Sequence, residues 1–271
     1  EHPLTRSDIR LIASDLDGTL FGPDHLLSPR TITAVQHAVA AGIHVVPATG
    51  RSTTSAVPRL RPAEVITTAV CSNGSLIHDI LSGNTTRFPI DPAHVDRFFA
   101  SLADIDDRYA FCWETDHGNG WDASFGDIAA IHEDLGNECG LATRPTAEHH
   151  TTKLMVRHPE ITQEALREHL IPLLIDPLTV STSGVQFVEV TGEGITKASA
   201  LAHLCADWGI DPAQVVAFGD NHNDAAMLQW AGHGVAMGNG SSLAIDAADE
   251  VIGTNTEDAV AVFIESLLAR N

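Results

Sequence analysis

The sequence predicts a doubly wound α/β fold with a parallel sheet, interrupted by an inserted α+β segment. Three observations carry this. Near the N-terminus, two short apolar runs, Arg10 to Ser14 and Ile43 to Thr49, flank one amphipathic helix, which is the pattern of a βαβ unit. Beyond about residue 190 the alternation of strand and helix returns. Between 86 and 190 it gives way to short strands and helices that suit antiparallel pairing.

Taken in order, Arg10 to Ser14 is a buried-type strand. The stretch Ser28 to Gly42 carries helix punctuation, with Ser28 as N-cap, Pro29 in the first turn, apolar Ile32, Val35 and Val39, and Gly42 as the stop. A second strand follows over Ile43 to Thr49, and a third apolar run ends at Ser72-Asn73-Gly74. In the insert we expect helices over Pro92 to Leu102, Asp127 to Glu138 and Gln163 to Leu174. Its strands lie in RYAFCWE, around Trp121, and in TKLMVRH, LTVSTSG and QFVEVTG, with Asn119-Gly120 as a hairpin turn. The C-terminal part reads as helix (Thr196 to Trp208), strand QVVAFGD, helix (Asn223 to Trp230), strand HGVAMG, strand EVIG and a last helix from Glu257 to Ala269. The domain boundaries drawn from this pattern are 1–85 with 191–271 for the α/β core and 86–190 for the insert. Gly83-Asn84 and Gly192-Glu193-Gly194 are the expected crossings.

A chain of 271 residues has room for one or two domains. At 44% hydrophobic, with no apolar stretch near the ~20 residues of a membrane span, it reads as soluble. The opening EHPLTRSDIR has neither an apolar core nor an initiator Met, and reads as a processed end and a flexible tail. The net charge of −21 argues against nucleic acid and anionic membranes as partners. Cys71, Cys112, Cys139 and Cys205 form no C-x-x-C or Cys/His ligand pattern, so reduced thiols and a cytoplasmic setting are expected.

Candidate chemistry collects at strand ends, where open α/β sheets bind their ligands. Asp15 and Asp17, spaced i and i+2, follow the first strand, and Gly18 permits a sharp turn whose N–H groups can face phosphate. The plain alternative is an acidic turn closing a strand. Thr49, Gly50 and Arg51 end the second strand and offer a hydroxyl, an amide and a bidentate cation, or simply a polar turn. Asn73 has the same two readings. Lys197 opens a helix, where an ammonium and the positive helix end can meet an anion; a surface lysine is the plain alternative. Asp220, Asn223 and Asp224 follow the strand QVVAF and supply oxygen ligands that favour Mg²⁺ over Zn²⁺.

DLDGTL, ATGR, a helix-opening lysine and GDxxND, in this order on alternating α/β elements, resemble the haloacid dehalogenase superfamily. The interval between Asp15 and Thr49 is too short for a domain, and the insert lies between Thr49 and Lys197. That arrangement resembles the Cof-type, subclass IIB phosphatases. The resemblance implies a Rossmannoid core and a cap that sets substrate choice. It also implies Mg²⁺-dependent hydrolysis of a small phosphomonoester, with a sugar phosphate as the best guess. Asp15 would be the nucleophile that forms an aspartyl-phosphate, and Asp17 the acid and then base. Gly18, Thr49, Gly50, Arg51, Asn73, Lys197 and Asn223 would hold the substrate; Asp15, Asp17 through its carbonyl, Asp220 and Asp224 would hold the metal. Lys197 is followed by Ala198 where the family has Gly, and His222 is expected to face solvent. In the cap, His117, Trp121, His149, His150, Lys153 and Arg157 are the polar or aromatic residues to inspect first. A phosphomannomutase-like phosphotransferase and a non-catalytic phosphate-ligand sensor are the alternative readings.

Overall fold

All four side chains of Leu11–Ser14 are buried, as befits a strand covered on both faces of a parallel sheet. This strand, β1, is an interior strand of its sheet in the computed structural model, which describes residues 5–122, 124–125, 143–173 and 177–270. The chain divides into two compact units, Glu1–Thr85 with Lys197–Asn271, and Thr86–Thr196.

In the first unit β1 leads to α1 (Pro29–Ala40). Ser28 caps α1 by accepting the Thr31 N–H, and α1 buries Thr31, Ala34, Val35 and Ala38 at helical spacing. Gly42 then adopts φ +86 and turns the chain into β2 (His44–Pro47), parallel to β1. A helix that the sequence reading missed, α2 (Thr53–Leu60), follows with Ser52 as its cap. Its Ser/Thr-rich start and internal Pro58 disguise it. Next come β3 (Thr68–Cys71) and its antiparallel partner β4 (Leu76–Asp79), and β5 (Thr85–Arg87) carries the chain from the last residue of this unit into the second.

The second unit begins with α3 (Pro92–Ala103), then β6 (Ala110–Thr115), β7 (Gly118–Trp121), β8 (Thr151–Arg157), α4 (Gln163–Leu173), β9 (Thr179–Ser181) and β10 (Val188–Thr191). Its sheet runs β7-β6-β8-β10-β9. Each neighbouring pair within it is antiparallel. Phe98, Leu102, Leu166 and Leu170 of the two helices pack with Phe111, Leu154, Val156 and Val190 on one face of that sheet. The strand period of two sends Cys112, Met155 and Phe187 to the other face, where they cluster with Phe125. Because Thr191 pairs with Thr179 of β9, β10 stays whole within this unit. The expected turn at Asn119-Gly120 is corrected: both residues lie within β7, and Thr115 pairs with Gly118 around Asp116 and His117. Gly118, at φ +109, supplies the positive φ that closes the hairpin, so the turn falls earlier than the Asn-Gly step suggested. The helix expected over Asp127 to Glu138 lies outside the described residues, as does Cys139. Cys71, Cys112 and Cys205 are not in disulfides.

The chain re-enters the first unit with α5 (Lys197–Trp208), β11 (Val215–Gly219), α6 (Ala225–Trp230), β12 (His233–Ala236), α7 (Ser242–Ala247), β13 (Glu250–Val251) and α8 (Ala259–Ala269). The parallel sheet is ordered β13-β12-β11-β1-β2. The core has the doubly wound α/β form that its alternating pattern predicts. The short α7, capped by Ser241, escaped the sequence reading. No helix among the described residues is long and apolar enough to cross a membrane.

Candidate active site

Asp15 leaves the end of β1 with its N–H donated to the Phe218 carbonyl of β11 at 2.9 Å, so two neighbouring strands fix its backbone. The turn over Leu16–Leu20 then folds back, and Gly18 takes φ +78. A side chain at residue 18 would meet the Asp220 carboxylate, with its Cβ 2.9 Å from Cγ. Glycine therefore lets the turn and the Asp220 carboxylate share one place. Thr19, which the sequence reading passed over, donates from Oγ1 to Asp220 Oδ1 at 3.1 Å.

Lys197 is the first residue of α5 and is completely buried. Its Nζ donates to Asp15 Oδ1 at 2.5 Å and to Asp224 Oδ1 at 2.7 Å. The other Asp224 oxygen accepts the N–H groups of Asp220 at 3.0 Å and Asn221 at 2.9 Å. Gly219 allows this close approach, since a Cβ there would stand 2.5 Å from that of Asp224. Carboxylate oxygens of Asp15, Asp220 and Asp224 all lie within 4.8 Å of one another.

Burial pushes the Asp15 carboxyl well above the usual carboxylate range; Asp224, Asp220 and Asp17 add to this, while Lys197 opposes it. Asp220 is raised to about 6, first by burial and then by Asp224. The Lys197 ammonium is raised too: burial alone would lower it, but the charges of Asp15 and Asp224 outweigh burial and hold it protonated. Three carboxylates around one ammonium leave the cluster short of positive charge.

Asp17 belongs to a different constellation. Arg51 donates from Nε to Asp17 Oδ2 and from Nη2 to Oδ1, both at 2.6 Å, and from Nη1 to Ser55 at 2.9 Å. His25 Nδ1 lies 2.7 Å from Asp17 Oδ1. Burial works against ionisation of Asp17, yet the Arg51 bonds and charge, with help from His25, set its carboxyl below the usual range. The guanidinium that the sequence offered to a ligand is thus turned toward Asp17. Thr49 is buried at the end of β2, where its Oγ1 accepts the Arg51 N–H at 3.1 Å, and Gly50 forms the bend between them.

Asn223 donates from Nδ2 to Asn73 Oδ1 at 3.0 Å, joining two loops predicted separately. Asn73 Nδ2 and Asn223 Oδ1 are buried without partners among the described residues. An unpaired donor and acceptor at one point mark a place for a polar ligand. Asn239 Nδ2, donating to the Gly18 carbonyl at 2.8 Å, is a further missed contributor. Its signal was its place in the Met237-Gly238-Asn239-Gly240 run, just beyond β12. His222, expected to face solvent, is half-buried.

Gly18→Ala should lower stability by about 1–3 kcal/mol through its positive φ, with the Asp220 contact adding to it. Urea unfolding should show a smaller penalty in an Asp220→Ala background, because the clash is then gone. Equal penalties would place the strain in the backbone alone.

A sequence model of the family described as haloacid dehalogenase-like hydrolase matches residues 12–264. The chain is 30% identical over 274 residues to the pyridoxal phosphate phosphatase YbhA of Escherichia coli, covering 96% of this chain and 98% of that one. Over 257 residues it is 29% identical to the 5-amino-6-(5-phospho-D-ribitylamino)uracil phosphatase YcsE of Bacillus subtilis, covering 94% of each. A solved haloacid dehalogenase-like hydrolase from B. subtilis superimposes with a TM-score of 0.81 at 25% identity, covering 96% of this chain and 100% of that one.

Proposed function

Since the chain belongs to the haloacid dehalogenase-like hydrolases and is a phosphatase of that kind, we propose Mg²⁺-dependent hydrolysis of a small phosphomonoester, a sugar phosphate or related metabolite, through an aspartyl-phosphate on Asp15. One observation carries this reading. A fully buried lysine is shared between Asp15 and Asp224, with Asp220 in reach, at the ends of two adjacent parallel strands.

The donor set fits a hard cation: its side-chain ligands are all oxygen, and burial has already raised Asp15 and Asp220 for want of positive charge. Asp15, Asp220 and the Asp17 carbonyl would hold Mg²⁺, with Asp224 supporting them. When bound, the ion neutralises phosphate oxygens so that an anionic nucleophile can approach.

An Asp15 oxygen attacks phosphorus, the bond from phosphorus to the ester oxygen breaks, and Asp17 delivers a proton to the leaving alcohol. Water then attacks the aspartyl-phosphate while Asp17 takes its proton, releasing inorganic phosphate and restoring Asp15. Lys197, Thr49 and the unpaired Asn73 amide hold the phosphoryl group, with Gly18, Gly50 and Asn223 beside it. The lowered Asp17 carboxyl is the form that serves as base. Acting as acid requires Asp17 to leave the Arg51 fork, which frees that guanidinium for the substrate. The second unit selects the organic part. The net charge of −21 makes nucleic acid an unsuitable partner, and the family's metabolite chemistry fits the cytoplasm.

The test is turnover of a generic aryl phosphate. Purified protein should hydrolyse it with Mg²⁺, lose at least about 10²-fold in rate after chelation, and recover on adding Mg²⁺ back. Undiminished turnover after thorough chelation excludes this site.

A further inference from the structure

His25 is held in a conformation that its own packing does not explain. It lies in the short loop after the Leu16–Leu20 turn, where the Gly22 N–H donates to the Leu26 carbonyl at 2.9 Å and the His25 N–H to the Gly22 carbonyl at 3.0 Å. Phe21 and Leu27 are buried on either side and pin the loop to the core. His25 itself takes φ +58, a left-handed conformation uncommon for a residue other than glycine. Its side chain is 52% exposed, so burial does not offset the cost of that backbone.

What the side chain does is bond to Asp17. Nδ1 lies 2.7 Å from Asp17 Oδ1 and must be the donor, because an ionised carboxylate has only acceptors. A half-exposed pair of this kind contributes little to stability. It does make the two Asp17 oxygens unequal. Oδ1 accepts from both His25 and Arg51 Nη2, whereas Oδ2 accepts from Arg51 Nε alone among the described residues. Arg51 is buried and anchored on Ser55 at 2.9 Å, so opening of the fork is a movement of Asp17. Once it opens, Oδ2 has lost its donor and Oδ1 keeps one. All of these groups belong to the first unit.

We propose that His25 is a positioning residue for Asp17, which retains Oδ1 when Asp17 leaves Arg51 and so presents Oδ2 as the oxygen that moves protons. The inference rests on the phosphatase reading and gives a role to a residue which that reading leaves unused. In the first step the Oδ2 proton passes to the ester oxygen as its bond to phosphorus breaks. In the second, Oδ2 takes a proton from the water that attacks the aspartyl-phosphate. His25 acts through Asp17 rather than on the ester: it limits the directions in which the freed carboxyl swings, and misplacement of a reacting group is costly in rate. The left-handed loop is then explained by the aim it gives the ring.

The experiment measures kcat/KM of the full chain for a nitrophenyl phosphate, whose leaving group needs no proton, and for an alkyl phosphate drawn from a panel of sugar and polyol phosphates, whose leaving group does. The alkyl-to-aryl ratio cancels any general loss of folded enzyme or of binding common to both esters. In His25→Gly, which keeps the left-handed turn but removes the ring, that ratio should fall about 10-fold, the value of one hydrogen bond to a charged group. His25→Asn also accepts the left-handed turn and restores an N–H donor, so it should recover most of the ratio. A wild type inactive toward every ester overturns the phosphatase reading and this inference with it. A wild type that turns over both kinds, with the same ratio in His25→Gly, overturns the inference alone. Turnover of the aryl ester only does so too, because no leaving alcohol is then protonated. An Asn variant as impaired as the Gly variant would show that the bond to Asp17 is not what His25 supplies.

Discussion

Lys197→Met should lower the stability of the metal-free core by about 3–5 kcal/mol, because it leaves two carboxylates buried without their cation. Lys197 is fully buried between Asp15 and Asp224, themselves 6% and 0% exposed. Thermal unfolding should fall by roughly 10 °C. The pH dependence gives the sign. Asp15 is already raised by burial with the lysine present, and removing the lysine raises it further. A carboxyl raised in the folded state binds more protons folded than unfolded, so stability is gained as pH falls through its folded value. The gap between variant and wild type should therefore narrow in acid. Lys197→Met/Asp224→Asn should recover much of the loss at neutral pH, since only one buried anion then remains. A single variant that melts with the wild type at every pH would show that the two carboxylates are not held by this lysine.

The same arrangement shows what a sequence can reveal and where it stops. Asp15, Thr49, Asn73 and Asp220 were legible because each is a polar residue just beyond an apolar run, and parallel sheets gather such ends. The first helix was legible from Ser28, Pro29 and Gly42, since caps are local chemistry. By contrast, α2 begins in Ser and Thr and contains Pro58, so propensity argued against a helix that burial of Ala56 and Leu60 stabilises. The partners of Asp17 were illegible for another reason. His25 and Arg51 meet Asp17 only once the turn after β1 and the end of β2 lie together. Likewise, the pairing of buried Lys153 with Glu189 depends on the β8–β10 register, in which Glu189 faces Met155. Two basic residues of the second unit also have protein partners: Arg108 pairs with Asp106 and Glu160, and Arg144 with Asp122. Both are thereby occupied, which weakens the phosphomannomutase-like alternative, since a mutase must hold a second phosphate with such cations.

Asp17→Asn should trap the covalent intermediate, and it separates attack by Asp15 from attack by water more cleanly than loss of Asp15 does. Replacing Asp15 removes both a nucleophile and a metal ligand, so inactivity would follow under either mechanism. Asp17→Asn leaves Asp15, its Lys197 bond and the residue 17 carbonyl in place. It removes the group that protonates the leaving alcohol and activates water, a contribution of roughly 10²- to 10⁴-fold. Its structural cost should be modest. Asp17 is 35% exposed at the side chain, and the amide keeps an acceptor for one arm of the Arg51 fork. With an ester whose leaving group needs no proton, transfer to Asp15 should proceed and its hydrolysis stall, giving a burst of alcohol near one equivalent of enzyme. Rapid-quench mass spectrometry should then find the added phosphoryl group on the peptide containing Asp15. Wild type, which completes the second step, should show little of it. If the variant releases phosphate steadily with no labelled protein at the shortest times, water attacks phosphorus directly and Asp15 acts as a ligand alone.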